Sequence, residues 1–142
     1  MGAPAAGPIS RPSPLRDMSG TKLDGAGTQK MKTLDEAVLV VQRLHGLVER
    51  MAVEVKAEKG VGVYPQQLKR LATTLQGQLK GQFGLIADQV AQLILIAGRG
   101  GGEQMKVRAL RESVAQIRTA LEIAAAKVKE QHAVPIDTVG DG

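Results

Sequence analysis

The chain contains no cysteine and no tryptophan, and Tyr64 and Phe83 are its single tyrosine and its single phenylalanine. The absence of cysteine excludes disulfide bonds, thiolate nucleophiles and metal sites with cysteine ligands. The shortage of aromatic rings argues against a base-stacking surface, which needs aromatic faces. Because no apolar run reaches about 18 residues, we expect no transmembrane segment and a cytoplasmic protein.

Both ends of the chain lack the apolar periodicity that folded segments need. Residues 1–32 are rich in proline, glycine, alanine and serine, and basic residues outnumber acidic ones there. We expect a disordered basic arm over this range and a flexible tail over residues 135–142. The formal net charge of the whole chain is +5, which favours weak attraction to anionic partners without identifying any of them.

Between these ends, three segments repeat apolar residues at heptad spacing, the pattern of helices that bury one face. The first predicted helix covers about residues 33–59. Thr33 and Glu36 form a capping box at its start, and Gly60 provides the stop. Its predicted buried seam consists of Leu34, Ala37, Val41, Leu44, Val48, Met51 and Val55.

The second predicted helix covers about residues 65–97, and the third covers about residues 103–132. Pro65 suits the first position of a helix, and the glycines of residues 98–102 separate the two helices. The second seam consists of Leu75, Leu79, Phe83, Ile86, Val90, Leu93 and Ala97. The third seam consists of Val107, Leu110, Val114, Ile117, Leu121, Ala124 and Val128.

These patterns predict an all-α fold. Since each connection is only about five residues long, consecutive helices must run in opposite directions. We therefore expect residues 33–134 to form an up-down-up, antiparallel three-helix coiled-coil bundle.

Gly77, Gly81 and Gly84 all lie inside the second predicted helix, where each costs about 0.8–1.0 kcal/mol relative to alanine. On a continuous helix they fall within about 60° of one another, opposite the apolar seam and beside Asp88 and Ala91. Three interpretations are open: compositional drift in a glycine-rich chain, close packing inside the monomer, or a contact with another protein.

The leading functional hypothesis is a non-enzymatic interaction or scaffold protein that self-associates or docks a protein partner through this glycine-lined face. On the first helix, a second set of residues spaced by seven lies away from the seam and gives modest support. The predicted partner interface consists of Gly77, Gly81, Gly84, Asp88 and Ala91 together with Leu39, Gly46 and Val53.

The alternative is a protein that binds nucleic acid or an anionic surface. It would use the basic arm and a row of cations on the third helix: Arg108, Arg111, Arg118 and Lys129. A basic row can follow a line of phosphates. Glu112 and Glu122 interrupt this row, so an ordinary solvated face is the competing interpretation.

A third hypothesis is a histidine phosphotransfer bundle with His45 as phosphoacceptor. Such domains carry a lysine and a glycine shortly after the histidine, whereas the residues after His45 read GLVER, so a structural histidine is favoured. His45 and Glu49 supply two metal ligands at most, and we predict no metal site and no cofactor. His132 lies near the end of the third helix, where a positive charge suits the helix dipole.

Overall fold

The computed structural model of the chain describes residues 21–135. Its elements in chain order are β1 (Thr21–Leu23), α1 (Gly25–Lys56), α2 (Tyr64–Leu79), α3 (Gly84–Gly98), α4 (Glu103–Gln131) and β2 (Ala133–Pro135). The all-α prediction is confirmed, since helices account for most of the described residues. The parts of the predicted arm and tail at residues 1–20 and 136–142 lie outside the described range.

The predicted number of helices is wrong, because the second predicted helix is two helices. α2 ends at Leu79 and α3 begins at Gly84, with a four-residue connection between them. The Phe83 amide still donates to the Leu79 carbonyl at 2.7 Å, and the Phe83 carbonyl accepts hydrogen bonds from the Ile86 and Ala87 amides in the first turn of α3. Gly81 and Gly84 flank this point, and their low helix propensity favours a break over one long helix.

The break changes the direction of the last helix. α2 and α3 form an antiparallel hairpin, in which a Cβ atom added at Gly98 would lie 3.6 Å from the Lys69 ammonium. α1 and α4 also run antiparallel, since Glu49 pairs with Arg111 while the end of α1 lies beside the start of α4. In the predicted up-down-up bundle the first and last helices would run parallel, so that coiled-coil topology is wrong.

The core follows the predicted seams closely. Every residue of the first predicted seam is buried, as are those of the second and third seams apart from Phe83 and Ala124, which are half-buried. The core also includes apolar residues that the seams omitted: Val40, Leu68, Ala72 and Ala87. Heptad periodicity therefore identifies the buried face of each helix even where the helix count is wrong.

α1 starts at Gly25, eight residues before the predicted start at Thr33. The Asp24 carboxylate accepts a hydrogen bond from the Gly27 amide at 2.7 Å, and the Asp24 carbonyl accepts from the Thr28 amide at 2.9 Å. Asp24 is thus the N-cap, and the capping box predicted at Thr33 is wrong because Thr33 lies inside the helix. The first two turns of α1 carry no apolar seam, which is why periodicity did not show them.

α1 ends at Lys56 rather than at the predicted residue 59, and Glu58 rather than Gly60 turns the chain out of the helix. The Lys59 amide donates to the Glu54 carbonyl and the Glu58 amide donates to the Val55 carbonyl, both at 2.9 Å. This pair of bonds is a Schellman motif, in which one residue takes the left-handed conformation. Glu58 takes it with φ 61°.

Residues 21–30 and 126–135 belong to one compact unit, the terminal unit, and Met31–Ala125 form the other, the central unit. In the terminal unit β1 pairs antiparallel with β2, with Lys22 opposite Val134. His132 lies just beyond α4, where its Nδ1 is 3.1 Å from the Asp24 carboxylate and its Nε2 is 3.3 Å from the Lys30 ammonium. The sequence-based interpretation, in which His132 complements the helix dipole, did not include its contacts with Asp24 and Lys30.

Gly27 leaves no room for a side chain, because an added Cβ atom would lie 2.5 Å from the His132 Cβ and 3.2 Å from the Leu23 Cβ. Gly27→Ala should therefore lower the free energy of unfolding by about 1–3 kcal/mol, the usual cost of overpacking. Gly46→Ala is the matched control on the same helix, since its Cβ would meet only Arg50 at 3.7 Å.

The control should raise stability by about 0.5–1 kcal/mol, because alanine is the better helix former. Urea unfolding followed by circular dichroism measures both variants. Equal stabilisation by the two substitutions would contradict the contact between Gly27 and His132.

Candidate functional site

The glycines do not form one row on one helix. Gly77 lies in α2, Gly81 in the connection, and Gly84 at the first position of α3, and all three are exposed. A Cβ atom added at any of them would meet nothing within 4 Å. Within the described residues, these glycines therefore do not allow any close packing inside the monomer. Their part in an interface stays a prediction.

The outward side of α3 exposes large apolar side chains. Leu85 is 83% exposed and Leu95 is 59% exposed, and Asp88 is the single charged residue of the helix. We call this surface the α3 outer face, and it consists of Gly84, Leu85, Asp88, Ala91, Gln92 and Leu95.

Two apolar sides on one helix explain how this face arises. The core side of α3 buries Ile86, Val90, Leu93 and Ala97. A helix with one side in solvent ordinarily carries lysine and glutamate on that side. α3 instead places leucine at both ends of its solvent side, which is an unusual use of an exposed helix.

α1 carries a second and more mixed patch at the residues predicted for it. Leu39 is 60% exposed and Val53 is 64% exposed, while Gly46 between them is half-buried. Arg50 donates a hydrogen bond to the Gly46 carbonyl at 3.4 Å, so a cation lies directly over the middle of the patch. A partner on this side of α1 would have to desolvate or pair that cation.

A groove of about 460 Å³ lies between the end of α1 and the start of α4, and we call it the cationic groove. Its cations are Lys56, Arg108 and Arg111. Its other lining residues are Ala52, Val55, Gln104 and Val107. The groove thus combines an apolar floor, in which Val55 and Val107 are buried, with three cations in its lining.

Glu49 holds Arg111 in place with a two-pronged ion pair. Arg111 Nε lies 2.8 Å from Oε2 of Glu49, and Arg111 Nη2 lies 2.8 Å from Oε1. The hydrogen bond from Arg111 lowers the pKa of Glu49, and burial opposes this only in part. The same bond raises the pKa of Arg111. His45, four residues before Glu49 on α1, adds the smallest of the effects that lower the pKa of Glu49.

The structure brings together only part of the predicted cation row. Arg108 and Arg111 line the cationic groove, whereas Arg118 is exposed elsewhere on α4 and Lys129 belongs to the terminal unit. Lys56 joins the first two and was missed by sequence reasoning. The predicted parallel arrangement of the first and last helices places the end of α1 far from the start of α4. Only the antiparallel packing brings Lys56 to Arg108 and Arg111.

The hypotheses of phosphotransfer and of metal binding also concern residues 21–135. His45 is exposed on α1, and its role as phosphoacceptor stays a hypothesis. The same residues contain no group of three or more histidine, aspartate or glutamate side chains that could hold a metal ion. None of their helices combines the length and apolar character needed to cross a bilayer.

Comparison of this chain with known protein families, curated proteins and solved structures finds no match. Function is therefore inferred below from the chemistry of the α3 outer face and of the cationic groove.

The ion pair between Glu49 and Arg111 predicts a specific pH dependence. Because the pKa of Glu49 is lower in the folded chain than its ordinary value of 4.5, the pair stabilises the fold above about pH 4.5. This stabilisation is lost as the pH falls through the folded-state pKa. Both side chains are substantially exposed, so we expect the pair to contribute less than about 1 kcal/mol to the free energy of unfolding.

Glu49→Gln should therefore lose less stability than the wild type between about pH 5 and pH 3, as measured by urea unfolding. Glu112→Gln is the control, since Glu112 is an exposed residue of α4 that forms no ion pair within the described residues. Parallel pH profiles for the wild type and Glu49→Gln would contradict the ion pair.

Proposed function

We propose that the protein is a non-enzymatic interaction module that self-associates or docks another protein through the α3 outer face. The observation that carries this proposal is the exposure of Leu85 and Leu95 on a helix with a single charge. Single exposed apolar residues are common on protein surfaces. Two leucines on one side of a nearly uncharged helix form a more unusual surface, of the kind that marks binding sites.

The energetics favour this face over the patch on α1. Full burial of one leucine side chain contributes roughly 1.5–3 kcal/mol, and the α3 outer face offers two leucines against one carboxylate to be desolvated or paired. Gly84 adds a position with no side chain, where a partner backbone can approach closely. The α1 patch offers Leu39 and Val53, but Arg50 lies between them.

The proposal predicts that Leu85→Ser and Leu95→Ser weaken association without unfolding the chain, because both side chains are exposed. The double variant should lose about tenfold or more in affinity, given the apolar area withdrawn from the contact. Sedimentation equilibrium measures self-association, and a pull-down from lysate measures other partners. Leu39→Ser is the matched control on α1, and an equal effect of that control would exclude the α3 outer face as the main contact.

A second candidate function, binding of an anionic partner such as nucleic acid, is favoured by one observation. The cationic groove gathers Lys56, Arg108 and Arg111, and arginine forks match phosphate and carboxylate oxygens. Glu49 occupies two donors of Arg111, which fixes the guanidinium toward α1 and leaves its remaining donors for a ligand. The formal net charge of +5 adds a general attraction.

This candidate predicts that a short DNA duplex binds with an affinity that falls steeply as salt rises. Arg108→Glu and Lys56→Glu should each weaken binding, while Arg118→Glu, on the same helix as Arg108 but outside the groove, should have a smaller effect. Fluorescence anisotropy at several salt concentrations measures this. Binding that is absent, insensitive to salt, or equally sensitive to all three substitutions would exclude the groove as the contact.

A further inference from the structure

The exposed residues of α3 repeat with the spacing of a coiled-coil seam. Leu85, Asp88, Gln92 and Leu95 are separated by three, four and three residues, and they fall within about 80° around the helix. This is the a-d-a-d pattern of a heptad, on the side of α3 opposite to the buried core. α3 therefore carries two seams, of which the described residues cover only the inner one.

The outer seam is symmetric about Val90. Leu85 lies five residues before Val90 and Leu95 five residues after it, while Asp88 lies two before and Gln92 two after. Two antiparallel copies of α3, related by a two-fold axis at the level of Val90, would therefore place each Leu85 opposite Leu95 of the partner subunit. Each Asp88 would lie opposite Gln92 of the partner subunit.

The single charge of α3 decides between the two possible orientations. In a parallel pair Asp88 would face Asp88 of the partner subunit, and two carboxylates forced together in an apolar contact repel each other. In the antiparallel pair each carboxylate can accept a hydrogen bond from the side-chain amide of the partner's Gln92. Every position of the seam thus has a suitable counterpart in the antiparallel arrangement.

We infer that the partner of the α3 outer face is a second copy of this chain, bound with the two α3 helices antiparallel. This inference rests on the proposed function and names the partner. Antiparallel pairing about a two-fold axis gives a closed dimer, since the same surface serves both subunits. The seam spans only about three turns, so the interface lies at the small, weakly binding end of the range for specific complexes.

The first test uses the absence of native cysteine. Leu85→Cys and Leu95→Cys chains are mixed in a glutathione redox buffer, and the disulfide-linked dimers are quantified. Two cysteines at the same position would be about 15 Å apart along the antiparallel pair, whereas a disulfide needs Cα atoms within about 7 Å. We expect the mixed dimer to exceed each like dimer by about tenfold or more.

A dominance of like dimers would overturn the inference in favour of a parallel pair. The statistical proportion, in which the mixed dimer makes up about half of the product, would show that the chains collide without docking. Both outcomes contradict the proposed antiparallel arrangement.

The second test keeps both leucines and changes the charge at Gln92, which is exposed. In the antiparallel pair Gln92→Lys places a cation opposite the partner's Asp88, and Gln92→Glu places a second carboxylate there. We expect dimerisation to strengthen up to about fivefold with lysine and to weaken by a similar factor with glutamate. In a parallel pair position 92 faces itself, so both substitutions would weaken the dimer.

Sedimentation velocity at low and moderate salt measures these shifts, and the same exchanges at the exposed flanking residue Gln89 are the control. A weakening with lysine, or equal effects at the two positions, would overturn the inference.

If the chain stays monomeric while Leu85→Ser and Leu95→Ser abolish capture of another protein, the proposed function stands and the second copy is excluded as partner. If neither dimer nor captured partner responds to those variants, both fail.

Discussion

The interruption of the helix between Leu79 and Gly84 determines the arrangement of the central unit. Each short connection reverses the chain, so one additional break makes α4 antiparallel to α1 instead of parallel to it. That reversal brings Arg111 to Glu49 and places Lys56 beside Arg108. It also divides one very long helix into a hairpin whose two members both bury a seam.

Sequence periodicity predicted which residues are buried but not where the chain turns. A heptad seam has the same appearance in one long helix and in two antiparallel helices of half the length, because both members of the hairpin point their seams inward. The distinguishing signal was present at Gly81 and Gly84, whose helix propensity is low. Their positions on a helical projection suggested a face, although such a projection presupposes that the helix continues.

The ends of α1 show why local chemistry is harder to predict than the core. Residues 25–32 have no apolar seam. Their helix depends on the cap by Asp24, whose carboxylate also contacts His132, and on continuity with the seam that follows. At the other end Glu58 takes a left-handed conformation that glycine normally supplies. The cationic groove is hard to predict for the same reason, since Lys56 joins Arg108 only through tertiary packing.

The α3 outer face follows from the same break. Within a continuous helix, Gly77, Gly81 and Gly84 would dominate the solvent side and the exposed leucines would look like isolated exceptions. As a separate helix, α3 carries Leu85 near one end and Leu95 near the other, with one acidic and one amide side chain between them. A single carboxylate on an apolar face weakens any contact in which it remains unpaired. In the proposed dimer, the position of Asp88, two residues before the centre of the seam, therefore specifies orientation as well as affinity: only a reversed copy places an amide where a parallel copy would place a second carboxylate.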